Sequence, residues 1–428
     1  MTAASTSGSR RLHLLIVTGS YAPDHTGMAP LNTELCEYLV AQGHHVSVAT
    51  VFPHYPEWKL PVEYRRALWR REVRNGVHLY RGFVYVPSKQ TTLRRILYDT
   101  SIGLSTTFCS LPVRAVDLVL AVSPPLQAGL AGCVLSWLKA APLVLQVQDL
   151  VPDLAIALGM LRNPWAIRLA RKLEEFVYRQ SDTVLVICEG FAANLRSKGV
   201  PDSKIRQIPH WVDTMSIRPQ LPLDDSRRAY QIHDSAFLVL HTGNLGAKQK
   251  LENVLEAASC LRDLPDVHFC LVGEGTEKAR LEQYARHLGL SNVGFLPLLP
   301  RESVPGLLAT ANVLLLNQAA RVVDMVIPSK LLTYLAAGRP VVAAVPPASE
   351  ASRCLERAAG GLVVEPENPM QLAAAVRHLY EHRDRARQMG RAARRFAEEH
   401  FASEPILARY ESLFASVAAH SPRPRRSW

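Results

Sequence analysis

The sequence has no H-E-x-x-H, no D-x-D, no C-x-x-C and no Cys/His spacing that would hold a metal ion. It also lacks G-x-S-x-G, the turn that presents a nucleophilic serine. Metal-bound water and acyl-serine chemistry are thus without their usual carriers. The seven cysteines are scattered, mostly among apolar neighbours as in LVICEG and VHFCLVG, which reads as reduced, buried thiols of a cytosolic protein. MTAASTSGSRR at the N-terminus has no apolar stretch of the signal-peptide kind. A membrane span needs about 18 uncharged apolar residues, and the nearest candidate, ILYDTSIGLSTTFCSLPVRAVDLVLAV, is broken by Asp99, Arg114 and Asp117. The expectation is a soluble, cytoplasmic protein, with peripheral contact on the inner face of the membrane left open.

At 428 residues, 48% hydrophobic and 20% charged, the chain has the composition of an ordinary globular protein with room for two or three domains. The formal charge of +11 is uneven: Lys59 to Arg95 holds ten Lys/Arg against two acids, Glu63 and Glu72. Such a stretch suits lipid head groups, phosphosugars or nucleic acid, and equally a plain solvated face.

From Leu12 onward short apolar runs alternate with segments of helical period. LHLLIVTG, HHVSVATVF, VHLYRGFVY, LVLAVSP, PLVLQVQD and TVLVICEG form one series of candidate strands. AFLVLHTG, VHFCLVG, VGFLP, VLLLN, PVVAAV and GLVVEP form a second. Strands alternating with helices imply parallel sheets covered on both faces, and two series imply two doubly wound α/β domains. An eight-stranded α/β barrel competes, but prolines cluster and periodicity lapses at KIRQIPHWVDTMSIRPQLPLDD. After about residue 370 the pattern is helical, and the final SPRPRRSW is a polar tail.

In doubly wound sheets ligands bind beyond the carboxyl ends of the strands. TGSYAPDHTGMAP places Tyr21, His25 and Gly27 in the first such loop. HTGNLGAKQKLENVLEAA offers Gly243, Asn244 and Gly246 with Lys248 at the far end, suited to one diphosphate at a helix N-terminus. It has no G-K-[ST] finish, so a P-loop is excluded. LVGEGTEKARLE sets Glu274 between two glycines, where a carboxylate could accept from a ribose diol or simply start a helix. MVIPSKLLTYLAAGRPVV has Ser329 as the expected N-cap, Lys330 beside it, Gly338 as the helix end and Asp324 just upstream. Any one of these loops means little; three at equivalent strand ends converge on an anion site. In the first half, VQDLVPD puts Asp149 and Asp153 four residues apart, on one face if the turn is helical.

With those residues in view, the chain resembles the family 4 retaining glycosyltransferases of GT-B fold, and is similar to the colanic acid biosynthesis group. The carriers are YAPDHTG, PHYPEW, VQDLVPD, IPHWVD, GNLGAKQKLENVLEAA, LVGEGTEKARLE, DMVIPSKLLTYLAAGRPVVA and VVEPENP. The resemblance implies two Rossmann-like domains facing across a cleft. The N-terminal acceptor domain would span 12–208, the nucleotide-sugar domain 209–400, and helix 404–420 would pack back on the first; 1–11 and 421–428 are expected to be disordered. It implies transfer of a hexose from a UDP- or GDP-type sugar to a polysaccharide or lipid-linked glycan in exopolysaccharide assembly. No metal or other cofactor is expected.

By matching position, Lys248, Lys330 and Asp324 are the catalytic candidates, with no general base assigned. Gly27, Gly243, Asn244, Gly246, Glu274, Phe295, Leu296, Ser329 and Thr333 would bind the donor. Tyr21, His25, Asp149 and Asp153 would bind the acceptor. The chain departs from the family pattern in having Asn244 for an arginine, Met325 and Thr333 for two glutamates, and Ser123 for a histidine. The partners implied are a nucleotide sugar, a glycan or lipid-linked acceptor and an anionic membrane surface reached through Lys59–Arg95; nucleic acid is not expected. Two readings compete: a non-hydrolysing sugar-nucleotide epimerase on the same fold, and a basic nucleic-acid-binding protein using the aromatics interleaved with Lys59–Arg95.

Overall fold

Strands rich in Val, Leu and Ile with no polar alternation can persist only where both sheet faces are covered. The computed structural model describes residues 10–420 except 26, 56, 90, 158, 160, 220–226, 228–229, 231, 234 and 322–327. Asp324 and Met325 therefore lie outside the described residues, as do the end segments 1–9 and 421–428. The chain divides into two units, one of Met1–Pro209 with Leu407–Trp428, the other of His210–Ile406.

Among the described residues the first unit holds an eight-stranded sheet: β1 (His13–Val17), β2 (His45–Val51), β3 (Trp69–Arg74), β4 (Val77–Gly82), β5 (Leu118–Ser123), β6 (Leu143–Val147), β7 (Thr183–Val186) and β8 (Ile205–Gln207). Their order is β3-β4-β2-β1-β5-β6-β7-β8, parallel except for the β3–β4 hairpin. That hairpin turns on Asn75 and Gly76, both at positive φ, the conformation that favours Asn-Gly in two-residue turns. β3 was not foreseen because WRREVR lacks an apolar face. As an edge strand its charges have a structural use, since they discourage pairing with another chain.

The chain end from Leu407 belongs to this unit. Gln146 Nε2 donates to Tyr410 Oη at 2.7 Å, and Tyr38 Oη donates to Glu411 at 3.2 Å.

The second unit holds β9 (Phe237–Thr242), β10 (Val267–Val272), β11 (Val293–Leu296), β12 (Val313–Asn317), β13 (Val341–Ala344) and β14 (Gly361–Val364). All pairings are parallel, in the order β11-β10-β9-β12-β13-β14. Alternate residues serve two cores: Leu238, Leu240, Leu314 and Leu316 face one layer, Phe237, Val239, Val313 and Leu315 the other. The chain leaves β9 toward β10 and β11, then returns to place β12 on the opposite side of β9. The strand order thus reverses between β9 and β12, the place where ligands bind in open α/β sheets.

Candidate active site

The switch point is built from backbone before side chains. Gly243, just past β9, donates its amide to the Val272 carbonyl at 2.8 Å, and Leu245 donates to Glu274 O at 2.9 Å. Gly273 closes the third side by donating to Leu296 O at 3.1 Å. A Cβ on Gly273, at φ +150°, would lie 1.8 Å from the Gly243 carbonyl oxygen, and one on Gly275 would lie 2.3 Å from Leu245 O. Only glycine fits at either place, so the two glycines of GEG are required by loop-on-loop packing whatever they bind. Glu274 points outward into an ion pair with Lys278 at 2.7 Å.

The helix Ser329–Ala336, the first described after β12, begins at the same end of the sheet. Its N-cap is Pro328, not Ser329 as expected: Ser329 is the first helical residue, exposed, and no side chain caps the first turn. The Pro328 ring fixes a φ of −72° that leads into the helix, which relieves Ser329 of that task. Tyr334 anchors the helix, its hydroxyl accepting from the Thr242 amide at 2.9 Å. Thr333, one residue earlier, is half-buried.

Lys330 turns inward. Its Nζ donates to His241 Nε2 at 3.2 Å, and it would lie 3.3 Å from a Cβ placed on Gly243. His241, fully buried on β9, uses Nδ1–H to donate to Leu315 O at 3.1 Å, which leaves Nε2 free to accept. Burial, then the lysine, holds His241 well below the usual imidazole range. Burial pushes the Lys330 ammonium down to about 7. The pairing with His241 was invisible in LVLHTG, where the histidine occupies a core position of a buried strand.

Lys248 is half-buried on the loop after Gly246, and among the described residues no ion pair holds its ammonium. The loop itself is fastened, because Ala319 donates to Lys248 O at 2.9 Å and Asn317 Nδ2 donates to Gln249 O at 2.6 Å. Asn253 Nδ2 completes this buried amide network by donating to Asn317 Oδ1 at 2.9 Å. Asn244 is exposed beside it, and Gly246 donates its amide to Gln249 Oε1 at 3.3 Å. Phe295 and Leu296 end β11 and pack on opposite layers. The structure thus brings together Gly243, Gly246, Glu274, Leu296, Lys248, Ser329 and Lys330 around three strand ends.

In the first unit the candidates are more dispersed. Tyr21 is buried and its phenol is pushed up by burial; His25 and Gly27 are exposed, with Gly27 at φ +61° and open space beyond it. Asp24, not singled out from sequence, is buried and pushed up to about 6 by desolvation, against the opposing pull of the Tyr55 and His54 amides and of Arg81. Asp149 and Asp153 do not share a helical face: the helix runs Val151–Ala157, and Asp149 precedes it. Pro152 near the helix start makes a boundary there natural. Asp153 is committed to Lys198 at 2.8 Å and to Asn194 at 3.1 Å, and these partners hold its carboxyl below the usual range despite burial.

The basic stretch is not free cation throughout, although Arg65, Arg66, Arg70, Arg71 and Arg74 are exposed. Arg81 is no surface cation: it is 1% exposed, donates to Glu72 at 2.9 Å and reaches the Ala22 carbonyl, while Arg95 pairs with Asp99 at 3.1 Å.

Residues 26–211 match the family described as "Glycosyl transferase 4-like domain", and residues 224–396 match "Glycosyl transferases group 1". A colanic acid biosynthesis glycosyl transferase of Escherichia coli is 31% identical over 93% of this chain and 98% of its own length. The chain is a glycosyltransferase of this family.

As a glycosyltransferase it has the expected fold. Sucrose-phosphate synthase from Thermosynechococcus elongatus superposes with a TM-score of 0.73 at 18% identity, covering 96% of this chain and all of that one. The Anabaena protein HepE in complex with UDP-glucose superposes at 0.71 and 17% identity, covering 95% and 100%. WaaG, a glycosyltransferase of lipopolysaccharide biosynthesis, superposes at 0.65 and 18%, covering 95% and 99%. The epimerase and nucleic-acid readings give way to this membership, which also supports a role in cell-surface glycan biosynthesis. No helix among the described residues is long and apolar enough to cross a membrane.

Proposed function

We propose that this glycosyltransferase moves a hexose from a UDP- or GDP-type sugar to a polysaccharide or lipid-linked glycan, with retention of configuration and without a metal. The observation that supports it is the convergence of the Gly243–Gly246 loop, the uncapped Ser329–Ala336 helix and two lysines at one switch point. HepE, of the same fold, has been seen with UDP-glucose.

In this reading the bond between the anomeric carbon and the β-phosphate oxygen breaks, and the acceptor oxygen bonds that carbon on the face the phosphate leaves. The acceptor proton passes to the departing phosphate oxygen, so no side-chain base is required. Charge growing on the diphosphate is met by the first-turn amides, already fixed before the reaction, and by Lys248 on its fastened loop. Lys330, whose ammonium burial pushes down to about 7, holds its proton more firmly when the anion arrives.

Calorimetric titration with UDP and with GDP, each with EDTA present, tests the proposal. Binding of one nucleotide, weakened by about 1.5–3 kcal/mol in Lys248→Ala and in Lys330→Ala, is the expected result. Unchanged affinity in both folded variants would remove the site assignment, and binding that EDTA abolishes would remove the metal-free mechanism.

A further inference from the structure

A polar side chain at the end of a buried apolar strand is costly unless its hydrogen-bonding groups are met. Asn317 ends VLLLN, the strand β12, and is 1% exposed. Its carboxamide has two N–H donors and an acceptor oxygen, and all are engaged. Nδ2 donates to Gln249 O at 2.6 Å and to Lys250 O at 3.0 Å, while Oδ1 accepts from Asn253 Nδ2 at 2.9 Å. Asn253, also buried, stands in the first turn of the helix Glu252–Ser259.

The carbonyls that Asn317 holds belong to the turn that carries Lys248. The Lys248 carbonyl itself accepts from the Ala319 amide at 2.9 Å, so the carbonyls of residues 248, 249 and 250 are all fastened to the end of β12. From the other side Gln249 closes the turn, its amide donating to Gly246 O at 3.0 Å and its Oε1 accepting from Gly246 N at 3.3 Å. A trans peptide sets its N–H opposite its C=O, so these bonds fix the peptide planes that follow the Lys248 Cα. Lys250 stands at φ +47°, a left-handed conformation that a residue with a Cβ keeps only where its surroundings impose it.

Among the described residues no ion pair holds the Lys248 ammonium, so its direction comes from the turn. Asn317 is too deeply buried to meet a substrate, and any part it has in the reaction passes through that lysine. We infer that Asn317 is a positioning residue of glycosyl transfer, its carboxamide holding the turn from which Lys248 reaches the donor diphosphate. Asn253 keeps the carboxamide the right way round. Were it flipped, Oδ1 would face the carbonyls of Gln249 and Lys250, and Nδ2 would face the Asn253 donor. The inference rests on the donor role proposed for Lys248.

The nucleotide that the wild-type chain binds in calorimetry, UDP or GDP, is titrated into Asn317→Ala, Asn253→Ala and Lys248→Ala. It is also titrated into each asparagine variant combined with Lys248→Ala, and thermal unfolding checks every fold. None of the asparagine substitutions changes charge, so electrostatic attraction of the anion is left as it was. Asn317→Ala should raise Kd about tenfold alone but no more than about twofold in the Lys248→Ala background, because residues acting through one group are not additive. Asn253→Ala leaves the Asn317 donors in place and should raise Kd about threefold alone and hardly at all beside Lys248→Ala. It decides the matter by itself if Asn317→Ala does not fold.

Losses that multiply with that of Lys248→Ala would make the asparagines structural and overturn the positioning role. So would wild-type affinity in both folded asparagine variants while Lys248→Ala is weakened; in either case the donor reading stands. Wild-type affinity in Lys248→Ala, or no binding of either nucleotide by the wild-type chain, removes the donor role of the lysine and this inference with it.

Discussion

Lys330→Met removes an ammonium from the interior of the second unit while keeping most of its apolar stem, and its effect on stability has a definite pH course. The amine sits at about 7 in the folded chain against an ordinary 10.5, because burial disfavours its charged form. Above 10.5 folded and unfolded chains both carry it neutral, and it costs nothing. Between 10.5 and about 7 the unfolded chain holds a proton that the folded chain does not, so stability falls as pH falls, by about 1.4 kcal/mol per unit. Below about 7 the loss is complete.

Methionine never titrates, so the difference between wild type and variant isolates this one group. Wild-type stability relative to Lys330→Met should therefore be higher by about 2 kcal/mol at pH 9 than at pH 7. Denaturant unfolding at the two pH values, followed through the second unit's transition, measures it. Parallel pH dependence of the two proteins would mean that water reaches the amine, and the argument from burial would fail.

Gly273→Ala should destabilise the second unit by more than about 3 kcal/mol, because the added Cβ meets the Gly243 carbonyl and φ is unsuited to alanine; a thermal scan would show an early transition or none. Tyr334→Phe leaves the Thr242 amide without its acceptor and should cost about 1–3 kcal/mol, with nucleotide affinity falling as the Ser329–Ala336 helix loosens; unchanged values in both assays would count against the anchoring role. Arg81→Met strips Glu72 and the Ala22 carbonyl of a buried donor and should cost the first unit about 3–5 kcal/mol. Unchanged stability of that variant would return Arg81 to the surface role that the charge of Lys59–Arg95 suggested.

Most of the parallel architecture was legible because continuous apolar runs bounded by glycine have few other readings. The exceptions share a cause. β3 and β8 are edge strands with exposed residues, so they carry no apolar run to detect, although Asn75-Gly76 was a usable hairpin signal. The helix Thr92–Cys109 was read only as a broken membrane span, since side chains that face outward there are as apolar as those facing in. At the site, loops ending in glycine and lysine could be seen one by one. What could not be read was direction: that Lys330 points inward to His241, that Asp153 is taken by Lys198, and that Arg81 is buried all depend on residues distant in the chain.

The position of the Gly243–Gly246 loop is set by main-chain contacts to Val272, Glu274 and Glu277, and no contact of the Asn244 side chain is needed for them. Residue 244 is therefore an interchangeable fitting on a fixed mount. An arginine there, the residue usual in the family pattern, would add a cation at the loop without moving the backbone that carries it. The charge at the mouth of the proposed donor site can then be changed by one substitution at an exposed residue, with the folding of the sheet beneath left as it was.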